Sequence, residues 1–312
     1  MFDLAAIQAA IQEQKLDGWL LYDFRGLNVL ARRVIGLGSD AMLSRRWFYF
    51  IPAKGETKKL VHKIEPRALD FLPGPKKEYL RWQELEAGVA DLVKGTKRLA
   101  MEYVPRNANP YVSRVDSGTV ELVRSFGADI VSSGDLVQQF EACWDDEQWA
   151  MHREAARHTR SAYDVAFKFI ADRVRQTGSV KETEVQKRIM DHFAEHKLVT
   201  DHPPICAVGP HSGDPHYAPG PDSDTAIREG DFVLIDLWAK LERPNAVYSD
   251  LTWTGFTGKD VPKKYEDIFQ IVAKARDAAI QKVQDAFRAP TPLQGWQVDQ
   301  AARDVIDKSG YG

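Results

Sequence analysis

The chain has 312 residues, of which 44% are hydrophobic and 28% are charged, and its formal net charge is −3. This composition is typical of a folded, water-soluble protein and excludes a disordered, collagen-like or disulfide-rich chain. Because basic and acidic residues nearly balance, composition gives no support for a nucleic-acid partner. The two cysteines, Cys143 and Cys206, form no Cys-x-x-Cys pattern, which favours a reducing compartment and predicts a cytoplasmic protein.

The first part of the chain alternates predicted helices with short predicted strands. An amphipathic helix at the N-terminus has no basic flank and no long apolar core, so it is not interpreted as a signal peptide, and no membrane association is expected. The strand candidates are "DGWLLYD", "RRWFYFIPAKGE", "KKLVHKI", "KRLAMEYV" and "ADIVSS". This alternation predicts an α/β domain over residues 1–142.

The second part of the chain, residues 143–312, changes to longer helices and predicts a separate domain. A long helix comes first, and a second helix follows Ser179, which fits a capping box with Glu182. A loop rich in proline and glycine then leads to two apolar strands, and two amphipathic helices form the tail. The first tail helix is predicted to bury one apolar face, made of Ile268, Val272, Ala279, Val283 and Phe287.

Two aspartates interrupt the apolar strands, Asp236 in "DFVLIDLWAK" and Asp250 in "VYSDLT". If the two are direct partners across a hairpin centred on Arg243, beside Pro244 and Asn245, their Cβ atoms lie about 4.5–5.5 Å apart. Both faces of the first strand look apolar, so the charges are expected to be poorly solvated. Two such carboxylates push one pKa upward unless a cation lies between them. Aspartate oxygens suit Mn²⁺, Mg²⁺, Zn²⁺ or Co²⁺, so a metal site is one interpretation.

A simpler interpretation remains open for the aspartates, since Lys240 or Arg243 could neutralise one of them at a strand end. His216, in the loop "DPHYAPG" before the strand of Asp236, also has several interpretations. It could bind metal, donate to a developing oxyanion, hold a substrate carboxylate, or simply be exposed.

Other histidines offer further metal-binding hypotheses. His211 stands five residues before His216, but the glycine and proline between them do not fix a helical face. His192 and His196 do have helical spacing, in "HFAEH". Because the segment lacks the His-Glu-x-x-His order of a zinc protease helix, both are interpreted as solvated helix residues.

Three segments together resemble a known family. "GPHSGDPHYAPG", "GDFVLIDLWAK" and "VYSDLTWTGFTG", in that order, are similar to the middle of the pita-bread metallopeptidases, the group of aminopeptidase P, prolidase, methionine aminopeptidase and creatinase. The preceding α/β segment resembles the N-terminal domain of the aminopeptidase P, prolidase and creatinase branch. The fold this resemblance implies is an α/β N-terminal creatinase-like domain followed by the first half of an α+β pita-bread domain.

The resemblance also implies roles for three residues. Asp236 and Asp250 would ligate two divalent metal ions, with Mn²⁺ expected and Co²⁺ or Zn²⁺ as alternatives, and His216 would lie beside the substrate and stabilise the transition state. The implied reaction is metal-dependent hydrolysis of the peptide bond before proline in short Xaa-Pro peptides. The alternatives are a creatinase-like hydrolase that works without metal, and a catalytically silent binding or scaffold relative.

The chain departs from the family pattern in three ways. "LERPNA" lengthens the segment between the two aspartates, and Trp253 stands where aminopeptidase P-like sequences commonly have arginine. The histidine and two glutamates that complete the family's metal site are not found before the final "DKSGYG". We therefore expect an incomplete site and a 312-residue chain that is inactive or weakly metallated. Apolar surface on "FVLID" and on the helix of Ile268 and Val272 is expected to be exposed, and a homodimer is expected.

Overall fold

The computed structural model describes residues 2–38 and 40–312. The chain divides into two compact units, Met1–Trp144 and Asp145–Gly312, each with its own hydrophobic core. None of the helices in this described part is long and apolar enough to cross a lipid bilayer.

The first unit is built on a six-stranded mixed sheet with the strand order β4-β3-β2-β1-β5-β6. The strands are β1 (Gly18–Asp23), β2 (Trp47–Pro52), β3 (Lys58–His62), β4 (Lys76–Tyr79), β5 (Arg98–Met101) and β6 (Asp129–Ser132). The pairs β1–β2 and β2–β3 are antiparallel, and the other three pairs are parallel. The five strands predicted from the sequence are confirmed. β4 was not predicted, because it is a polar edge strand with three of its four residues exposed.

Helices cover both faces of this sheet. They are α1 (Leu4–Glu13), α2 (Val29–Val34), α3 (Trp82–Leu92), α4 (Ser117–Ser125) and α5 (Gly134–Val137), which continues into a π-helical turn at Gln138–Ala142. Every residue of β1 is buried. Trp19 and Leu21 pack into the core on one face, and Leu20 and Tyr22 into the core on the other. A strand buried on both faces has the continuous apolar run that "GWLLY" shows.

The second unit combines long helices with a small antiparallel sheet. Its helices are α6 (Asp146–Thr177), α7 (Glu182–Glu195), α8 (Lys263–Arg288) and α9 (Gly295–Lys308). Its strands are β7 (Val180–Lys181), β8 (Leu198–Val199), β9 (Ile205–Val208), β10 (Ala226–Ile227), β11 (Phe232–Leu241) and β12 (Ser249–Phe256). β11 is central: β12 pairs along one edge, and β9 and then β8 pair along the other.

The two faces of β11 differ in burial. Val233, Ile235 and Leu237 are fully buried in a core shared with α6 and α7. Asp236 and Trp238 lie on the opposite face, where every residue of the strand is partly exposed. The prediction that both faces are buried is therefore wrong. The helices α6 and α7 cover one face only, as antiparallel sheets permit.

The predicted core face of α8 is mostly open. Ala275 is the one buried residue of the helix, whereas Val272 is 54% exposed and Phe287 is 82% exposed. The helix α8 therefore has the predicted apolar stripe, but this stripe is not buried in a core within the described residues. The expectation that the helix exposes apolar surface at Val272 is confirmed.

The start of α7 also differs from prediction. The helix begins at Glu182, and its capping box joins the backbone N–H of Lys181 to Glu184 Oε2 at 2.9 Å. Ser179 lies outside the box because Val180 and Lys181 are taken up in β7, which pairs with β10. Glu182, the first residue of α7, is buried instead of capping the helix at the surface.

Tyr163 on α6 contacts both long strands, β11 and β12, on the face of the sheet that α6 covers. Its hydroxyl lies 3.3 Å from the carbonyl oxygen of Ile235 in β11 and also donates to that of Leu251 in β12. We expect Tyr163→Phe to lower the free energy of unfolding by about 1–2 kcal/mol, because strand carbonyls lose a buried donor. Urea unfolding measures this change. Tyr265→Phe is the control, since the structure gives the Tyr265 hydroxyl no hydrogen bond among the described residues, and an equal loss in both variants would contradict the assignment.

Candidate metal centre

Asp236 and Asp250 lie on one face of the β11–β12 hairpin as diagonal neighbours. Asp236 pairs with Thr252, and Asp250 pairs with Trp238. Directly opposed residues share a face, and so do alternate residues along a strand, so both carboxylates point to the side away from α6 and α7. Diagonal positions lie about 7–8 Å apart. The prediction that the two aspartates are direct partners is wrong, although they remain neighbours.

The hairpin register explains this difference. The observed pairing is centred on Pro244 rather than Arg243, with Asn245 in the left-handed region at φ 59°. Asparagine tolerates this conformation in turns. A change of register by two residues keeps every side chain on its face, whereas a change by one would turn the buried Val233 outward. Apolar patterning therefore fixed the face of the aspartates but not their pairing.

No cationic side chain neutralises either aspartate within residues 2–38 and 40–312. Asp236 Oδ1 accepts a hydrogen bond of 2.6 Å from the Thr252 hydroxyl. The two residues considered as neutralising partners are engaged elsewhere. Arg243 forms an ion pair with Glu147 at 2.9 Å, and Lys240 Nζ lies 5.0 Å from the centre of the Tyr248 ring.

The negative charge of the pair affects the pKa of Asp250. The surrounding sheet removes water from Asp250 and raises the pKa of its carboxyl, and the negative charge of Asp236 raises it further. The prediction that one of the two carboxyl groups has a raised pKa is confirmed. Such a pair is stabilised by a cation placed between or beside the two groups.

The carboxylates of Asp236 and Asp250 are a suitable type of ligand for a divalent cation, but they are too few to complete its coordination. Carboxylate oxygens are ligands that Mn²⁺ and Mg²⁺ accept. In the described part of the chain, however, the one group of three or more close histidine, cysteine, aspartate or glutamate side chains lies elsewhere, at His192, Glu195 and His196. Asp236 and Asp250 alone fall short of the roughly four to six ligands that such ions take.

His216 lies in the loop between the 3-10 turn Gly209–Gly213 and β10, and its side chain is exposed. Its backbone N–H donates to Asp214 Oδ1 at 3.0 Å. The described contacts include none between His216 and either aspartate. His211 Nδ1 lies 3.1 Å from Glu182 Oε1, and its ring stacks on Tyr217, so His211 and His216 are not held as a metal-binding pair.

Glu182, which the sequence did not reveal as a site residue, organises this loop. Its carboxylate is fully buried at the N-terminus of α7, where the helix dipole favours a negative charge. It accepts hydrogen bonds from Val208 N (2.8 Å), His211 Nδ1 (3.1 Å), Tyr217 Oη (2.6 Å) and Thr225 N (3.0 Å). Both ends of the loop that carries His216 are thus tied to one carboxylate. An acidic residue at a helix start looks like an ordinary cap, so no sequence signal distinguishes it.

The family assignment comes from comparison with known proteins. The model of metallopeptidase family M24 matches residues 150–312, which is more than half of the chain. The chain therefore belongs to metallopeptidase family M24, and the resemblance to the pita-bread metallopeptidases is confirmed.

Individual relatives agree with this family. YkvY of Bacillus subtilis (strain 168), provisionally assigned as a dipeptidase, is 26% identical over 240 residues, which are 74% of this chain and 61% of that protein. The dipeptidase PepE from Mycobacterium ulcerans has the same fold, with a TM-score of 0.64 at 21% identity over 98% of this chain and 76% of that one. X-prolyl aminopeptidase from Caenorhabditis elegans, a cytosolic enzyme with a di-nuclear active site, matches with a TM-score of 0.61 at 15% identity over 98% of this chain and 48% of that one. The chain spans 61% and 50% of the lengths of the first two curated relatives.

Glu182→Gln tests the role of the buried carboxylate. An amide keeps one acceptor oxygen but places its N–H₂ group against donors, so we expect a loss of about 2–3 kcal/mol in unfolding free energy. Faster amide hydrogen exchange is expected over residues 209–225. Glu229→Gln, at an exposed position, is the control and should change stability by less than about 0.5 kcal/mol. Unchanged exchange in the loop of the Glu182 variant would contradict this role.

Asp250→Asn tests the repulsion within the aspartate pair. Because the folded state raises the Asp250 pKa above its ordinary 3.8, the folded protein binds the proton more tightly, and stability falls as pH rises through that window. In chelator-treated buffer at pH 7 we expect Asp250→Asn to raise the melting temperature by an amount on the order of 1 °C. The gain should vanish below the ordinary pKa. Asp260→Asn, in an exposed loop, should leave the melting temperature unchanged, and a less stable Asp250 variant at pH 7 would refute the repulsion.

Proposed function

We propose that this protein acts as a metal-dependent peptidase on short peptides, with Asp236 and Asp250 among the ligands of its metal ions. The observation that carries this proposal is the placement of two carboxylates on the open face of β11–β12 without a cationic side chain beside them in the described chain. Membership of family M24 supports peptide hydrolysis as the reaction. Two divalent ions, with Mn²⁺ expected and Co²⁺ or Zn²⁺ as alternatives, are part of the proposal.

A cavity beside the aspartates offers a place for the substrate. Its volume is about 850 Å³, and Thr252, the strand partner of Asp236, is one of its walls. The rest of the lining is mainly aromatic and aliphatic and includes Phe232, Leu234, Trp253, Tyr265, Phe269 and Val272. A pocket of this size and character suits a small ligand with an apolar side chain.

Each residue of the proposed site would have a separate role in hydrolysis. Divalent ions, when bound, would supply a water of lowered pKa and polarise the scissile carbonyl. Asp236 and Asp250 would hold the ions, and the Thr252 hydroxyl orients the Asp236 carboxylate through its 2.6 Å hydrogen bond. His216 would donate an N–H to the oxygen on which negative charge develops. Glu182 positions the loop from which His216 projects.

The finer proposal is cleavage of the bond before proline. A proline side chain is compact and apolar, which matches the aromatic and aliphatic lining of the cavity. The name of the Caenorhabditis elegans neighbour, an X-prolyl aminopeptidase, points to the same substrate class. A dipeptide series that differs only in its second residue, with proline, alanine and leucine, tests this preference.

Activity and metal content test the proposed function together. Because Asp236 and Asp250 offer only two ligand side chains, we expect the 312-residue chain to take up less than one equivalent of Mn²⁺ and to hydrolyse Xaa-Pro dipeptides slowly. In any longer polypeptide that contains this chain and hydrolyses these peptides, Asp250→Asn should abolish both Mn²⁺ uptake at the aspartate pair and turnover. His216→Ala should keep the metal and lower kcat about 100-fold or more.

Metal analysis of dialysed protein and a proline-release assay measure these outcomes. Glu229→Gln serves as the matched control and should leave both unchanged. Turnover that survives in Asp250→Asn would refute the assignment of the site. Stoichiometric metal with rapid turnover by the 312-residue chain would show that a metal site with only Asp236 and Asp250 as protein ligands is the wrong description.

A further inference from the structure

The last turn of α7 carries a cluster of metal-ligating side chains that the proposed peptidase site does not use. His192, Glu195 and His196 each offer one ligand atom, and these atoms all lie within 4.8 Å of one another. The prediction that both histidines are solvated is wrong for His192, which is 5% exposed. It is buried because α7 packs against α6 at this level, where Ser161 lies 3.0 Å from the His192 ring.

Helix geometry explains why the three side chains converge. Residues at positions i, i+3 and i+4 lie on the same face of an α-helix, and "HFAEH" places its histidines and glutamate at these positions. The cluster also lies at the C-terminal end of α7, where the helix dipole gives a partial negative charge. Both features favour a cation at this position.

The contacts of His192 leave one ring nitrogen available. The Ser161 hydroxyl donates to the carbonyl oxygen of His158 at 3.0 Å, so its oxygen accepts from His192 Nε2 at 3.0 Å. The carbonyl oxygen of His158 lies 3.2 Å from the same nitrogen. The hydrogen is therefore on Nε2, and Nδ1 keeps a free lone pair. A ring whose other nitrogen donates to a fixed oxygen is the usual arrangement of a metal-bound histidine.

The neighbouring groups support the cluster without entering it. The ring of His158 stacks on that of His196 with 4.1 Å between the centroids, and its Nε2 accepts from Arg157 at 3.3 Å. His158 therefore orients His196 rather than supplying a ligand. Glu195 is exposed and has one long ion pair, 3.6 Å from Arg188, through Oε1. Among the described residues its other carboxylate oxygen has no partner, so it is open to a ligand.

We propose that His192, Glu195 and His196 bind one divalent transition-metal ion of the Zn²⁺, Co²⁺, Ni²⁺ or Cu²⁺ class. Imidazole nitrogens select these ions over Mg²⁺ and Ca²⁺, which prefer oxygen ligands. Three protein ligands leave the remaining coordination positions to water, and His196 and Glu195 lie at the surface where an ion can enter. This site shares no ligand with Asp236 and Asp250, so it does not depend on the proposed peptidase activity.

Cobalt binding to a suitable background variant tests the proposal. The background is the untagged 312-residue chain carrying Asp236→Asn, Asp250→Asn and Cys143→Ser, which removes the aspartate pair and the exposed thiol. We expect this protein to bind one equivalent of Co²⁺ with visible d–d absorption, which Zn²⁺ displaces and Mg²⁺ does not. Adding His196→Ala should weaken Co²⁺ binding at least about tenfold. Removing a group that hydrogen-bonds to a metal ligand already weakens metal binding by about this factor, and removing the ligand itself weakens it at least as much.

Matched variants separate this site from general surface binding. His202→Ala removes an exposed histidine that contacts Asp201 and should leave Co²⁺ affinity unchanged. Ser161→Ala should keep the fold, as judged by circular dichroism, and weaken Co²⁺ binding about tenfold through the loss of ring orientation. The absence of saturable Co²⁺ binding in the background, or equal affinity with and without His196→Ala, would overturn the proposal. Neither result would bear on the peptidase site, because the background lacks it.

Discussion

Uncompensated negative charge on the open face of β11–β12 is the constraint on which the functional interpretation of this chain depends. Val233, Ile235 and Leu237 fill the other face of β11 and fix which side each residue occupies. Asp236 and Asp250 are therefore held outward as neighbours, and the described residues bring no lysine or arginine to either of them. Groups placed at a cost to stability are characteristic of functional sites rather than of scaffolds.

Single residues connect the elements around this charge. Tyr163 holds β11 and β12 together from the side of α6, and its own pKa is raised, mainly by burial and then by the charges of Asp236 and Asp250. Glu182 fixes the loop that presents His216, through donors on β9, in the loop itself and beside β10. The proposed hydrolytic site would need this kind of support, because small displacements of ligands and donors reduce rates strongly.

Local patterning in the sequence was sufficient to predict many elements. The apolar runs of β1, β2 and β3 and the alternation within β11 identify strands without any tertiary information. The motifs around Asp236 and Asp250 were likewise sufficient to place the chain in its family. These features depend on side chains close in sequence, which is why they can be recognised.

Features set by contacts distant in sequence could not be predicted. The pairing of Asp236 with Thr252 depends on the turn at Pro244 and Asn245, whose conformation the sequence allowed in more than one register. The burial of Glu182 and of His192 depends on how α7 meets β9, the following loop and α6. Each residue has an ordinary surface role that fits the same local pattern, so only the assembled fold distinguishes them.

Mn²⁺ binding by the aspartate pair is the most direct test of the central claim. Electron paramagnetic resonance detects free Mn²⁺, and the loss of its signal on addition of protein measures binding in a His196→Ala background that lacks the histidine cluster. We predict that the His196→Ala protein binds Mn²⁺ weakly, because the two aspartates carry negative charge that no cationic side chain neutralises. Adding Asp236→Asn and Asp250→Asn should remove this binding. Equal Mn²⁺ signals with and without the two aspartates would contradict this prediction.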